Sequence, residues 1–467
     1  MADVTAPELA PRAEFLLDLA LDSGAEAVEV YVSSSLSHPV AFEANRLKQL
    51  ETIESTGIGL RLWRNGKPGL VTAYGDYDPQ VLIDQALSLS DLNNPEVIYL
   101  QKEQQQSQRL HDSHSGSLNP SDLSRFVDDG ARIRAMIEWG ESAIDKILEQ
   151  FPEAICSASW DYTYEKMRLI NSYGLDCSYS DTSFSGSIGA EWIRGDDFLS
   201  VWESDVARDQ LLPETMLQRL LRSLYWAKEN VDSPQGHLPV LITSKAADLL
   251  WGVVANAMNG KQVQQKTTPW LHQLGQSVIA DCWTLRQDPE LGIYGTPFDD
   301  EGTITHAFDW INQGKLQGFY GDLRTSQENP QLGIQSQGNG FRGDLGTYPQ
   351  PGLFNLIVEA TPTSEDLESL AATMEHGIIV DQLMGNGATI AGDFAMNIEL
   401  GYRVEHGEIV GRIKDSMLAG NAYQALNQVI GIGGDRQWQG SLYVPSVIVD
   451  GLTVTARGDD ATTDEDR

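Results

Sequence analysis

The most constraining feature of this chain is strand-period alternation without regular crossover helices. Polar and apolar residues alternate through residues 154–204, and beyond residue 236 short apolar runs are separated by Gly-rich turns. Such alternation indicates half-buried β-strands, whereas parallel strands would need crossover connections of about a dozen residues or more. We therefore predict an α+β fold of mostly antiparallel sheets with helices packed against them, and not a doubly wound parallel sheet.

The N-terminal residues are predicted to form an α+β unit in which helices pack on a sheet like the layers of a sandwich. An apolar stripe at helical spacing ends at Gly24, and strand-like runs follow it. The Asn65-Gly66 pair lies between two alternating runs, which is a strong signal for a β-hairpin. A second helix is predicted after Asp78, because Asp is a favoured N-cap and Pro79 suits the first helical position.

Changes in composition divide the 467 residues into two predicted domains, 1–230 and 231–467. The first contains a polar linker at 93–120 and a long helix at 121–150. The second is larger and mostly antiparallel β, and it ends in an acidic flexible tail at 458–467. Helices within the second domain are predicted at 248–261, 364–374 and 417–429.

Charge limits the partners that this chain can have. Asp and Glu number 67 against 32 Lys and Arg, which gives a formal net charge of −35. This balance opposes non-specific binding to nucleic-acid phosphates and to anionic membrane surfaces. We therefore expect neither nucleic acid nor membrane as a partner.

The cysteines and the N-terminal residues indicate the compartment. Cys156, Cys177 and Cys282 are far apart and form no CxxC motif, which fits a reducing environment and not a disulfide framework. The N-terminal residues lack the basic and apolar regions of a signal peptide. Because no apolar run approaches the roughly 20 residues of a membrane span, we expect a soluble cytoplasmic protein.

Familiar catalytic motifs are absent from the sequence. It has no GxSxG, no GxxxxGK[ST], and no GxGxxG between a strand and a helix. His111 and His114 lie three apart in the polar linker, where two solvated side chains are favoured over a weak surface metal site. Six further histidines show neither HExxH nor HxxEH spacing, namely His38, His237, His272, His306, His376 and His406.

The segment "GTPFDDEGTITHAF" is the first candidate site, since it places four titratable residues together: Asp299, Asp300, Glu301 and His306. Such groups could form a metal site or an acid/base pair. On a strand, however, Glu301 and His306 would point to opposite faces unless Gly302 formed a bulge. We favour a turn in which the Asp side chains accept hydrogen bonds from local amides.

Further carboxylates and histidines occur between residues 375 and 413, namely Asp381, Asp393, Glu399, Glu405, His376 and His406. Glycine spacing and alternation predict strands with tight turns there, one of them at His406-Gly407, so we assign these residues structural roles. Cys282 is interpreted as a buried, inert thiol, because no histidine lies near it in sequence to activate it. The long loop at 324–352 is either a binding segment or merely mobile, and both interpretations stay open.

Several ordered blocks carry a resemblance that covers nearly the whole chain. They are "AVEVYVSSSL…FEANRLKQLE…GIGLRLWRNGKPGLVTAYG", "VLITSKAADLLWGVVANAMNGKQVQQK", "GTPFDDEG", "GIIVDQLMGNGATIAGDFAMNIELGYRVEHGEI" and "MLAGNAYQALNQVIGIGGD". In these blocks the chain resembles the TldD/PmbA (TldE) family, also called modulator of DNA gyrase. The resemblance implies a two-domain protein of a bipartite cytosolic zinc metalloprotease. In that system a TldD-type subunit, with an HExxxH helix and a further Cys ligand, pairs with a PmbA/TldE-type subunit.

The family's zinc motif does not match this chain. Aligned on its flanking blocks, His-Glu-x-x-x-His falls on residues 251–256, so Trp251, Gly252 and Asn256 replace the motif residues. Trp and Gly provide no side chain that binds zinc, and Gly cannot serve as the general base. The family's Cys-Gly step reads Gln439-Gly440 here. The resemblance therefore implies a PmbA/TldE-type chain with no catalytic, cofactor-binding or metal-binding residues, and zinc is expected in the partner subunit.

What remains of this helix is predicted to be a packing element, because apolar residues recur at the spacing of a core-facing stripe: Leu250, Val253, Val254, Ala257 and Met258. We expect a non-catalytic or regulatory subunit that pairs with a TldD-type chain, although a homodimer is also possible. The expected substrates are peptides or unfolded proteins, bound by strand addition to an open sheet edge. The alternatives are an autonomous metallopeptidase or hydrolase with an unrecognised site, such as Asp299–Glu301, and a protein-binding factor that modulates gyrase.

Overall fold

The computed structural model describes residues 10–102, 129–208 and 210–456. His111, His114, most of the predicted linker, the first part of the helix predicted at 121–150 and the tail at 458–467 lie outside these residues. Strands make up 43% and helices 23% of the structure, which confirms the α+β class. Among the described helices, none combines the length and the apolar character needed to cross a membrane.

Among its described residues, the N-terminal part forms an eight-stranded antiparallel sheet with helices packed on it. The strands are β1 (Ala27–Ser37), β2 (Val40–Glu43), β3 (Arg46–Leu50), β4 (Ile53–Arg64), β5 (Lys67–Tyr74), β6 (Ile155–Asn171), β7 (Asp176–Arg194) and β8 (Asp197–Ala207). The helices are α1 (Ala10–Asp22), α2 (Pro79–Leu92), α3 (Asp129–Gln150) and α4 (Pro213–Trp226). The long strand β6 pairs with β7 on one edge, and with β2 and then β1 on the other. Strand β4 joins β5 to the far side of β1, and β8 follows β7.

Local sequence signals account for several of these elements. Asn65 and Gly66 have φ angles of 54° and 71°, the left-handed conformations that a two-residue hairpin turn requires. The Asp78 side chain accepts hydrogen bonds from the amides of Gln80 and Val81 and thereby caps α2. Both predictions are confirmed, and α1 and α2 pack with the apolar residues of β1 and β4 into one core.

The C-terminal part has more and shorter elements. Its strands are β9 (Gly236–Ile242), β10 (Thr284–Gln287), β11 (Phe308–Asn312), β12 (Lys315–Leu316), β13 (Phe319–Tyr320), β14 (Ile334–Gln335), β15 (Gly340–Phe341), β16 (Gln350–Pro351), β17 (Leu356–Glu359), β18 (His376–Met384), β19 (Asp393–Glu405), β20 (Glu408–Ile413), β21 (Ser416–Asn421), β22 (Val429–Ile432), β23 (Gln437–Gln439), β24 (Leu442–Val444) and β25 (Val447–Ala456). Its helices are α5 (Asp248–Ala257), α6 (Gly260–Gln264), α7 (Leu323–Glu328), α8 (Leu367–Ala371) and α9 (Ala422–Ala425), with single 3-10 turns at Ser244–Ala246 and Pro330–Leu332.

The main C-terminal sheet closes on itself. Strand β18 pairs with β9, β9 with β25, β25 with β21, β21 with β19, and β19 again with β18. A second sheet has the order β12-β11-β10-β17-β24-β23. Most pairings are antiparallel as predicted, but β9–β18, β13–β14 and β17–β24 are parallel.

Two helix predictions for the C-terminal part need correction. The helix predicted at 248–261 ends at Ala257, because the Asn259 side chain accepts a bond from the Lys261 amide and starts a separate helix, α6. The helix predicted at 417–429 is wrong. Residues 416–421 form β21 between β19 and β25, and only Ala422–Ala425 are helical. The helix predicted at 364–374 is confirmed with shorter bounds, and a capping box at Asp366 begins it.

An apolar core crosses the boundary predicted at residue 230. Val240 and Ile242 on β9 pack into the same core as α5. Leu241, which points to the opposite face of the strand, packs instead into a core with residues of α3 and α4. The closed sheet is therefore buried on both sides, by α5 on one and by the N-terminal helices on the other.

Candidate functional site

Helix α5, at the position of the family's zinc motif, is a core element in this chain. It begins directly after the 3-10 turn that follows β9. The predicted stripe is confirmed, since every member is buried: Leu250, Val253, Val254, Ala257 and Met258. The helix is thereby fixed against the sheet through one continuous apolar face.

Trp251 occupies the position of the first motif histidine and is fully buried. Its ring packs edge-to-face against Trp283, with 4.9 Å between ring centroids, a favourable aromatic geometry. The Trp283 indole donates to the carbonyl of Leu426 at 3.3 Å. In contrast, the Trp251 indole N–H has no acceptor among the described residues. Apolar packing, and not a polar contact, therefore holds this residue in place.

The other two motif positions lie on the outer face of α5. A Cβ atom at Gly252 would come within 2.6 Å of the Asp248 carboxylate, so a longer side chain there would have to displace Asp248. Asn256 is exposed and accepts a hydrogen bond from the Gln262 amide at 3.3 Å. Gln439 is half-buried in β23, which packs beside the 3-10 turn preceding α5.

These residues do not fit a zinc ion. Zinc sites in proteins use thiolate, imidazole or carboxylate ligands, and the indole of Trp251 is none of these. Across the described ranges, no three His, Cys, Asp or Glu side chains are placed to hold a metal together. We therefore assign no zinc chemistry to α5.

A cavity of about 410 Å³ opens at the N-terminal end of α5. Its lining is rich in charged groups and includes Trp202, Lys245, Asp248, Asp381, Gln382 and Glu399. The Lys245 ammonium forms ion pairs with Asp381 at 2.7 Å and with Glu203 at 2.9 Å, and it donates to the carbonyl of Trp202 at 2.8 Å. Because Glu203 and Trp202 lie on β8, this buried network joins the N-terminal sheet to the C-terminal part.

The Lys245 ammonium in this cavity is already paired with carboxylates. Asp381 lies at a bulge of β18, where the register shifts between Val380 and Gln382, and a bulge re-aims a side chain in this way. Burial alone would lower the pKa of Lys245, but the charges of Asp381 and Glu203 outweigh it and raise that pKa. The ammonium therefore stays protonated and cannot act as a nucleophile or base. Burial raises the pKa of Asp248, which lies at the cavity wall.

The acidic segment at Asp299 is the predicted turn. One Asp299 carboxylate oxygen accepts the amides of Glu301 and Thr303 at 3.0 and 2.8 Å, and the other accepts the Gly340 amide at 2.8 Å. Gly302 has a φ of 79°, which a turn with left-handed backbone requires. His306 is exposed and does not join the buried carboxylates.

This turn is also a contact between the two parts of the molecule. Asp300 accepts a hydrogen bond from the Tyr31 hydroxyl at 3.2 Å, and Glu301 accepts the Leu323 amide at 2.7 Å. Burial raises the pKa of Asp299 to about 7 and also raises the pKa values of Asp300 and Glu301. The carboxylates of these three residues accept hydrogen bonds from groups within the fold, so we assign the turn a structural role.

Sequence reasoning missed the buried charges that face this turn. Glu29 on β1 lies directly opposite Arg61 on β4 and forms an ion pair with it at 2.9 Å. Arg342, from the loop at 324–352, pairs with the same carboxylate. All three side chains are nearly fully buried. The sequence carries a signal for two members of this triad, because Glu29 and Arg61 each stand inside an apolar strand, "AVEVYV" and "GLRLW".

The candidate residues between 375 and 413 do not form one cluster, but two pairs of them lie close together. His376 is directly opposite Glu405 in the β18–β19 pair, and Asp381 and Glu399 line the Lys245 cavity. Residues His406 and Gly407 form the predicted turn, with φ angles of 52° and 77°. The His406 ring contacts Glu375 at 2.6 Å on an exposed surface, and His376 begins β18. Asp393 accepts from the Asn421 amide. Glu405 forms an ion pair with the neighbouring Arg403, and Glu399 is exposed at the Lys245 cavity.

The prediction for Cys282 is wrong in one respect, because its side chain is exposed and not buried. The next residue, Trp283, takes the core position, and the thiol is left on the outer side of the turn before β10. The loop at 324–352 includes most of α7 and several short strands, and it supplies Arg342 to the contact between the two parts.

Comparisons with known proteins agree with this architecture. The model described as "PmbA/TldA metallopeptidase C-terminal domain" matches residues 235–456, and "PmbA/TldA metallopeptidase domain 1" matches residues 28–90. The metalloprotease PmbA of Escherichia coli O157:H7 is 24% identical over 460 residues, covering 94% of each chain. A metalloprotease TldD homolog of Haemophilus influenzae is 23% identical over 248 residues, 52% of this chain and 48% of that one.

The fold matches a solved structure along nearly its whole length. The crystal structure of TldE from Thermococcus kodakarensis superposes with a TM-score of 0.83 at 21% identity, covering 95% of this chain and 99% of that chain. The two domain models together cover more than half of the 467 residues. This chain therefore belongs to the PmbA/TldD metallopeptidase family.

Proposed function

We propose that this chain is the non-catalytic subunit of a bipartite cytoplasmic zinc metallopeptidase that acts on peptides or unfolded proteins. A TldD-type chain would supply the zinc and the general base. The observation that carries the proposal is the full burial of Trp251 against Trp283 at the first ligand position. A residue that completes the core cannot be exchanged for a ligand without loss of packing.

A chain that keeps the fold of a metallopeptidase but lacks the zinc ligands can still contribute a binding surface. Such a surface is useful when a second subunit supplies the catalytic residues. Two homologous chains can pair through equivalent patches about a pseudo-twofold axis, as isologous dimers do. An obligate interface of this kind buries on the order of 2,000 Å² or more. A homodimer of this chain is the alternative assembly.

An autonomous hydrolase is the weaker interpretation. Its candidate site, Asp299–Glu301, uses its carboxylates in hydrogen bonds to backbone amides and to Tyr31. Direct contact of a gyrase modulator with DNA is opposed by the net charge of −35.

The partnership can be tested by co-expressing the chain with a TldD-type protein from the same genome. Size-exclusion chromatography should yield one peak with a one-to-one ratio, and cleavage of an unstructured peptide should require both chains. A partner variant with its zinc-binding histidines replaced by alanine is the control, and it should pair normally but cleave nothing. Separate elution of the two chains, with the partner fully active alone, would reject the proposal.

A further inference from the structure

A groove runs along the junction between the N-terminal sheet and the C-terminal part. Two cavities of about 600 and 240 Å³ form it, and they share the wall residues Glu165, Tyr179, Thr296 and Phe341. One side of the groove is the surface of β6 and β7. The other side comes from residues 293–298 and from the loop that contains β15.

Aromatic rings make up much of the groove wall. Tyr179 packs edge-to-face on Phe298, with 5.4 Å between centroids, and Phe341 packs on Phe354 at 6.3 Å. Tyr294 also lines the groove and is 38% exposed. Rings held by one another in this way offer rigid faces to a ligand.

Two carboxylates face each other across the strands at the groove. Glu165 on β6 is directly opposite Asp181 on β7, where side chains on neighbouring antiparallel strands begin about 4.5–5.5 Å apart. Asp181 pairs with Arg208 at 2.8 Å, and Arg208 also donates to the carbonyls of Ile293 and Gly295. Arg208 therefore divides its hydrogen bonds between Asp181 and two backbone carbonyls, and it lies beside two carboxylates that face each other.

Glu165 has no such partner. In the parts of the chain that the structure describes, its carboxylate makes neither an ion pair nor a hydrogen bond. The ammonium of the adjacent Lys166 lies over the ring of Tyr164 at 5.6 Å. Glu165 is exposed at the groove, and partial desolvation together with the charge of Asp181 raises its pKa.

We propose that this groove binds a lysine or arginine side chain of an extended polypeptide, with the cation beside Glu165 and Asp181 and the aliphatic stem along Tyr179 and Phe341. The long stem of Lys or Arg covers apolar surface while its charged head stays in a polar environment. The net charge of −35 favours a basic ligand at long range. The identity of the segment as a peptidase substrate rests on the proposed function, whereas the binding itself needs only this chain.

The experiment measures fluorescence anisotropy of labelled peptides with the full chain. Three peptides of Gly and Ser residues carry one central lysine, acetyl-lysine or glutamate. We expect the lysine peptide to bind at least about tenfold more tightly than the other two, and more weakly as salt rises. Glu165→Gln should weaken lysine-peptide binding about tenfold. Glu191 is an exposed carboxylate on β7, about 30 Å along that strand from Asp181. Glu191→Gln should leave lysine-peptide binding unchanged.

Two controls accompany the binding measurements: the melting temperature of Glu165→Gln, and the charge-reversal variant Glu165→Lys. Glu165→Gln removes one of two opposed like charges, so its melting temperature should equal or exceed that of the wild type. Glu165→Lys should lose the lysine peptide and bind the glutamate peptide better. Equal binding of the lysine and acetyl-lysine peptides, no binding of any peptide, or no effect of Glu165→Gln would overturn the inference. Lysine-specific binding without pairing to a TldD-type chain would keep the inference and reject the proposed function.

Discussion

Substitutions of Trp251 measure directly whether helix α5 is a packing element. Trp251 is fully buried and packs on Trp283. Truncation of a buried Trp to alanine lowers the free energy of unfolding by about 3–5 kcal/mol. Trp251→His should cost a similar amount, about 3–5 kcal/mol, because the smaller imidazole leaves a void and must be desolvated without a partner. Trp251→Phe should cost only about 1–2 kcal/mol, since it keeps a ring and removes an indole N–H that has no acceptor.

Urea denaturation followed by circular dichroism gives the order of these three midpoints. Asn256→His is the matched control, because that residue is exposed and its replacement should change stability by less than about 0.5 kcal/mol. The triple variant Trp251→His, Gly252→Glu and Asn256→His should bind no zinc tightly, because the surrounding residues do not orient the new ligands. A Trp251→His protein with an unchanged midpoint would refute the packing role. A triple variant that holds zinc would refute the claim that the surrounding residues do not orient the new ligands.

Three further substitutions test the fold around the candidate site. Val254→Asp places an unpaired charge in the core of α5 and should lower the unfolding free energy by about 3–5 kcal/mol, whereas Asn256→Asp should stay near wild type in the same urea titration. Glu29→Gln leaves two buried arginines without their counter-charge and should cost about 3–5 kcal/mol, with Glu191→Gln unchanged; equal midpoints would exclude the triad as a link. Because the pKa of Glu301 is raised in the fold, its contribution to stability falls as pH rises above its unfolded value of about 4.3. Glu301→Gln should therefore raise the midpoint at pH 8 and leave it unchanged near pH 4, and a loss of stability at pH 8 would contradict this reasoning.

Features that depend on neighbouring residues could be predicted from the sequence. The hairpin at Asn65-Gly66 and the cap of α2 at Asp78 each need only a few adjacent residues. The buried stripe of α5 follows from the helical period alone. The turn at Asp299 could be predicted as well, because Asp side chains accept nearby amides.

Features that depend on distant partners could not be predicted in this way. Residues 416–421 form a strand because β19 and β25 lie on either side of them, and tertiary pairing overrides local preference. The Lys245 network needs Glu203 and Asp381, which lie 42 residues before and 136 residues after it. The exposure of Cys282 could not be predicted, because it follows from its neighbour Trp283 taking the core position.

Zinc content tests the central claim most directly. The chain and a TldD-type partner can be expressed separately and together, dialysed against a mild chelator, and analysed by elemental mass spectrometry. Because structural and catalytic zinc is held tightly by its ligands, we predict about one zinc per pair, about one in the partner alone, and well below one in this chain alone. About one tightly held zinc per molecule of this chain in isolation would contradict the account.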